Sequence, residues 1–210
     1  MPQHLLDSSD FITDEAELRD LHPQPMSRAT GKVLPALDRH CRQILALSPF
    51  YLIATQGPNG ADVSPKGDPP GSVGILDDTT LLLPERVGNN RFDGMVNILS
   101  NPEVGLLFLV PGMNETLRIN GTARILKNDV FLADYAVNGR APKIGILVTV
   151  REAFLHCGKA VMRSGLWDPE ARIDRSSLPS YAQMLLDQVN GLTRAENERQ
   201  TQIMAERGLY

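Results

Sequence analysis

Two loops punctuated by Gly and Pro carry the residues best suited to chemistry. One is Ser64-Pro65-Lys66-Gly67-Asp68-Pro69-Pro70-Gly71, and the other is Leu83-Pro84-Glu85-Arg86-Val87-Gly88-Asn89-Asn90-Arg91. Each brings cationic side chains and free backbone amides to the end of a strand-like run. A phosphate dianion needs such donors: the planar fork of arginine and outward-facing N–H groups. A helix opening near Asp93 would add its N-terminus to the second loop. Neither loop opens a Gly-rich βα turn, so the expected pocket belongs to a β-barrel, and its expected ligand is a phosphorylated cofactor. Taken singly, each loop reads more readily as a plain turn with solvated cations.

Two further stretches are chemically capable. Thr116, Arg118 and Asn120 share the polar face of an alternating strand, which is either solvent-facing or a pocket wall; alternation does not choose. Gly158 to Trp167 holds Lys159, Arg163 and the sole tryptophan, Trp167, which either stacks on a flat ring or seals a core edge. There is no serine-hydrolase elbow, Walker loop, dinucleotide fingerprint or HExxH. His4, His22, His40 and His156 are far apart in sequence and form no recognisable catalytic pair. Cys41 and Cys157 lack zinc-ligand spacing and are expected to be small buried residues, with no metal bound. No catalytic side chain is identifiable.

Composition narrows the class. The 210 residues are 42% hydrophobic and 22% charged, ordinary for a globular chain able to bury a core. A net charge of −4 argues against nucleic acid as the main partner. No apolar run approaches the roughly 18 residues of a membrane span. The opening residues lack the basic flank and apolar centre of a signal peptide, so the expected location is the cytoplasm. Arginine outnumbers lysine 16 to 5, and the arginines beside Gly, Pro or Asn are the better anion contacts.

The elements that must position these loops follow from periodicity. Residues 1–34 read as a polar arm. Leu37, Cys41, Ile44 and Leu45 mark a helix that Ser48-Pro49 stops. Phe50–Thr55 and Ala61–Ser64 read as a hairpin about Gly57-Pro58-Asn59-Gly60. Ser72–Leu76 and Thr79–Leu83 follow, then a short helix capped by Asp93. Val104–Val110 is apolar throughout, which predicts a strand buried on both faces. In Thr116–Leu126, Leu117, Ile119, Ala123 and Ile125 alternate against Arg118, Asn120, Thr122 and Arg124. A helix is expected over 128–138, two strands over 144–150 and 153–157, and helices over about 178–190 and 194–207. The predicted class is mainly β (α+β), an antiparallel barrel of about seven short strands.

These motifs, taken in order, resemble one family. Phe50–Thr55, Val63–Gly71, Leu83-Pro84 with Gly88–Arg91, Asn101-Pro102 with Val104–Phe108, Glu115–Gly121 and Phe154–Trp167 are similar to the pyridoxamine 5'-phosphate oxidase-like, FMN-binding split-barrel family. Within it they resemble a bacterial subgroup of unassigned substrate. The likeness runs over about 35–170 and implies a six-stranded split barrel with flanking helices; 171–210 lies outside it and reads as a C-terminal helical extension. It also implies a homodimer with FMN in the clefts between subunits. By the resemblance, Ser64 and Lys66 lie along the flavin and its ribityl chain, and Asn89, Asn90 and Arg91 hold the phosphate. Thr116 and Arg118 line the wall, and Arg163 and Trp167 close over the ring from the partner. Lys66 is the candidate donor at the pyrimidine edge.

The chain departs from the true pyridoxamine phosphate oxidases. Phe50–Thr55 stands where they have an Arg-rich strand, and Ala205–Tyr210 replaces their substrate-binding terminus. Vitamin B6 oxidation is therefore not expected. The leading reading is an FMN-dependent oxidoreductase acting on a small organic molecule. The alternatives are a non-catalytic flavin or haem carrier, with His156 the nearest haem ligand though more readily a buried structural histidine, or an F420-dependent reductase. F420 would need a basic trough beyond the phosphate, for which no cluster is evident in the sequence.

Overall fold

The computed structural model describes residues 6–208, so the readings on Met1–Leu5, Leu209 and Tyr210 lie outside the described residues. Two compact units are distinguished, with their boundary after Val33. In the first, α1 (Glu15–Asp20) is capped by Asp14, whose side chain accepts from Glu17 N, and α2 is the single turn Ser27–Thr30.

The second unit begins with α3 (Arg39–Leu47), capped by Asp38 and burying Cys41, Ile44 and Leu45. There follow β1 (Phe50–Gly57), β2 (Gly60–Gly67), β3 (Gly74–Ile75), β4 (Thr80–Pro84), α4 (Asp93–Ser100), β5 (Glu103–Leu109) and β6 (Thr116–Leu126). The chain continues through α5 (Asp129–Leu132), β7 (Gly145–His156), α6 (Lys159–Ser164), α7 (Tyr181–Gln188) and α8 (Arg194–Arg207). The strands form one antiparallel sheet in the order β2-β1-β5-β6-β7-β4-β3, seven strands where the family resemblance implied six. The class is α+β and the architecture a split barrel.

Alternation explains the barrel interior. Tyr51 and Ile53 of β1, Leu106 and Phe108 of β5, Leu117 and Ile119 of β6, and Val148 of β7 are buried in one cluster with Leu81, Leu83 and Ile146. Burying each such side chain contributes about 1.5–3 kcal/mol. Tyr51 and Phe108 stack with centroids 5.0 Å apart.

Several boundaries differ from the sequence reading, each for a local reason. β5 is buried on one face only: Gly105, Leu107 and Leu109 are half-buried on the other, so a continuous apolar run here marks a second, partly exposed apolar face. The two strands expected over 144–157 are one, β7, carrying the extra residue Arg151 in a bulge opposite Asn120/Gly121. The helix expected over 128–138 is the single turn α5 and a 3₁₀ turn, Ala133–Tyr135. Val137-Asn138-Gly139-Arg140 then turns back with φ of 51° at Asn138 and 74° at Gly139, the backbone of a tight hairpin turn.

Cys41 is buried as expected, but Cys157 is exposed, because β7 ends at His156 and the chain leaves the sheet there. His156 is exposed for the same reason, contrary to the buried structural role. Burial first, and then the Asp38 hydrogen bond, push the Cys41 thiol up to about 11. A disulfide-exchange reagent at pH 8 is therefore expected to titrate one thiol in the native protein and two after denaturation. Two fast equivalents in the native state would contradict this packing.

Among the described residues no helix is long and apolar enough to cross a membrane, and no group of His, Cys, Asp or Glu is placed to hold a metal ion.

Candidate functional site

Closing the barrel leaves a split between the edge strand β2 and the end of β4, and two ion pairs bridge it. Lys66 Nζ donates to Glu85 Oε2 at 2.5 Å, and Arg86 Nε donates to Asp68 Oδ2 at 2.6 Å. Both pairs are mostly buried; the Asp68 side chain is only 8% exposed. Arg86 Nη1 also donates to Tyr135 O at 2.8 Å, tying the segment after α5 to the same point. Asp68 Oδ1 is buried without a hydrogen-bond partner.

Beside these pairs lies a cavity of about 620 Å³. Its apolar side is Tyr51, Ile53, Val73, Met95 and Ile146. Ser64 and Lys66 enter it because they pair directly with Ile53 and Tyr51 and so share the inward face of the hairpin. Asn89, Asn90 and Arg91 line it from the loop after β4. The Tyr51 phenol is pushed upward, first by burial and then by Glu85 and Asp68, so it stays a neutral hydroxyl.

The opening of α4 is the most telling part. Asp93 was expected to cap it, but the cap position is Phe92, which offers no side-chain acceptor. Phe92 and Asn90 both have left-handed backbone, φ 57° and 60°. For a phenylalanine this conformation is strained and has to be held by its surroundings. The result is a helix start lined by Asp93, Gly94 and Met95, whose first amides have no intrahelical acceptor. Asp93 instead accepts from Arg91 Nε at 2.7 Å, which raises the Arg91 pKa further. That bond uses one of five guanidinium N–H groups, and the Arg91 side chain is 72% exposed.

Charge in the cavity is balanced: Lys66, Arg86 and Arg91 face Asp68, Glu85 and Asp93. Lys66 and Arg86 are spent on closing the split. The donors left for an anion are the Arg91 amino groups, the Asn89 and Asn90 amides and the start of α4. An apolar wall with one end rich in N–H donors fits a flat cofactor with a phosphorylated tail.

Of the nine residues assigned from sequence, Ser64, Lys66, Asn89, Asn90 and Arg91 come together here. The other four lie outside the lining. Thr116 is buried opposite His156, and Arg118 stands on the outer face with its guanidinium 5.5 Å from the Phe154 ring centre. Arg163 is exposed on α6, and half-buried Trp167 donates from Nε1 to Met113 O at 2.8 Å. Sequence reasoning missed Tyr51, Asp68 and Glu85 as lining residues. The signal for Asp68 and Glu85 was two carboxylates placed beside the cations of the two loops.

The family model for pyridoxamine 5'-phosphate oxidase matches residues 37–157, and the chain belongs to that family. The family is flavin-binding and oxidoreductase-like. No curated protein matches the chain. Among solved structures, HupZ of Group A Streptococcus is 20% identical, with 57% of this chain and 93% of that one covered at a TM-score of 0.45. A Clostridium acetobutylicum protein related to general stress protein 26 is 16% identical, with 56% and 86% covered and a TM-score of 0.43. An F420 reductase is 17% identical, with 57% and 98% covered and a TM-score of 0.40.

Proposed function

We propose that the cavity at the split holds FMN and that the protein is an FMN-dependent oxidoreductase of a small organic molecule. One observation carries this reading: the uncapped start of α4, the Asn89–Arg91 donors and an apolar wall meet in a single cavity. Bound FMN would supply hydride-transfer chemistry, and the chain would position the reactants. Arg91, through the amino groups outside its bond to Asp93, and the first amides of α4 would hold the phosphate. Ser64 offers a hydroxyl along the polyol, although its Oγ now donates to Asp62 at 2.8 Å. Lys66, held by Glu85, brings a hydrogen-bonded ammonium to the pocket rather than a lone cation, which tempers its pull on the pyrimidine edge.

The proposed assembly is a cytoplasmic homodimer. The outer sheet face carries half-buried Leu52, Leu107, Leu109 and Phe154 beside Arg118, a surface suited to a second copy. That arrangement would bring Arg163 and Trp167 toward the partner's cofactor, with Arg118 on the face between the copies; Thr116, buried in its own sheet, would not reach it.

The experiment is an FMN titration of the flavin-free protein, followed by flavin fluorescence. Wild type is expected to bind one FMN per chain. Arg91→Ala is expected to weaken binding about 10- to 100-fold, the value of a hydrogen bond to a charged group. Equal affinity in the two proteins would remove Arg91 from the phosphate site.

A further inference from the structure

Tyr51 is 6% exposed and lies on the inward face of β1, where it stacks on Phe108 and lines the cavity at the split. Its hydroxyl makes no hydrogen bond among the described residues. Asp68 Oδ1 is, among those residues, the one unpaired side-chain atom that is fully enclosed, so the Tyr51 oxygen is open to the cavity. We propose that the Tyr51 hydroxyl donates a hydrogen bond to a carbonyl oxygen of the cofactor's flavin ring. The proposal deepens the FMN reading of this cavity and rests on it.

The level of Tyr51 along the cavity is set by the register of β1 and β2. The start of α4 lies against the Thr55–Asp62 rung: a Cβ on Gly94 would stand 3.3 Å from Asp62 Oδ2 and 3.5 Å from Thr55 Oγ1. Ile53 and Ser64 form the next inward rung, and Tyr51 and Lys66 the one after it. At about 3.3 Å per residue, the Tyr51–Lys66 rung is roughly 13 Å from the rung beside α4. A phosphate held by Asn89–Arg91 and the first turn of α4 would therefore leave the polyol beside Ser64 and the ring beside Tyr51 and Lys66.

The charged groups at this level are already paired. Lys66 is held by Glu85, and Arg86 by Asp68 and the Tyr135 carbonyl. The phenol, by contrast, carries a hydrogen that no neighbour accepts. Burial, and then the charges of Glu85 and Asp68, push its pKa upward, so the hydrogen stays on the oxygen. The pyrimidine side of a flavin ring carries two carbonyl oxygens, and each is an acceptor for a neutral hydroxyl. An unpaired hydroxyl in so buried a site costs free energy that a ligand acceptor would recover. Tyr51 would thus serve the ring end, as Arg91 serves the phosphate end.

The test compares FMN and riboflavin binding, followed by flavin fluorescence, in wild type, Tyr51→Phe and Arg91→Ala. Tyr51→Phe keeps the stack on Phe108 and breaks no hydrogen bond within the described residues, so its unfolding midpoint is expected not to fall. It is expected to weaken FMN and riboflavin by the same factor, about three- to tenfold, the value of one neutral hydrogen bond. Arg91→Ala is expected to weaken FMN while riboflavin stays within about twofold. In the infrared spectrum of bound FMN, a flavin carbonyl band is expected to move to higher wavenumber in Tyr51→Phe, because the donated bond weakens C=O. Wild-type affinity for both flavins in Tyr51→Phe, a loss confined to FMN, or unmoved carbonyl bands would each overturn the proposal while the FMN reading stands. Wild type that binds neither flavin would instead remove the FMN reading, and this one with it.

Discussion

Arg86→Ala is expected to lower stability by about 3–5 kcal/mol, because it strands a buried carboxylate. The Asp68 side chain is 8% exposed, its Oδ1 already lacks a hydrogen-bond partner, and its Oδ2 accepts from Arg86 Nε. Removing the guanidinium also frees the Tyr135 carbonyl and unties the two edges of the split. For a protein of this size the loss corresponds to roughly 6–20 °C in the unfolding midpoint. The double variant Arg86→Met with Asp68→Leu separates the causes, since it removes both charges while keeping bulk. It is expected to recover much of the loss, as buried pairs replaced by apolar groups commonly do. A thermal melt in which Arg86→Ala unfolds within a degree of wild type would show that these pairs do not hold the split closed.

Gly121→Ala is the second large effect. A Cβ at this position would stand 2.0 Å from Thr149 O and 3.0 Å from Thr149 C, both backbone atoms. No rotamer change relieves such a clash, so β6 and β7 would have to separate at the bulge. A cost of about 3 kcal/mol or more is expected, at the upper end for overpacking. Gly88→Ala is the matched control, because a Cβ there meets nothing within 4 Å. Its stability is expected to stay within about 0.5 kcal/mol of wild type. Denaturant midpoints that move equally in the two variants would refute the close approach at the bulge.

The fold was legible where alternation is strict and a turn carries its own chemistry. The 57–60 hairpin joins Gly57 to Gly60, and Leu117, Ile119 and Ala123 face the core. It was less legible where one residue changes the register. Arg151 gives no sequence signal that it is an extra residue, because the residues on both sides remain strand-like. The two-sided burial inferred for β5 failed because apolar composition does not reveal whether a second layer covers the outer face. In the site, five assigned residues converge because they lie on two loops at the ends of strands that the split brings together. Lys66 and Arg86 were visible as cations, but their neutralisation by Glu85 and Asp68 was not. Those partners are 19 and 18 residues away in sequence, and only barrel closure makes them neighbours.

Phe92 shows the same limit at the scale of one residue. Asp93 has the side chain of a helix cap, and a sequence reading assigns it that role. The chain instead enters α4 through a left-handed phenylalanine and gives the Asp93 carboxylate to Arg91. The first amides of α4 are thereby left without a side-chain cap.

The most direct measurement is the absorption spectrum of the natively purified protein, with the released chromophore identified by mass. The expected result is a flavin spectrum at one chromophore per chain and the mass of FMN. A colourless protein that also takes up no added FMN would contradict the cofactor site at the split, leaving the barrel and its family standing without the oxidoreductase.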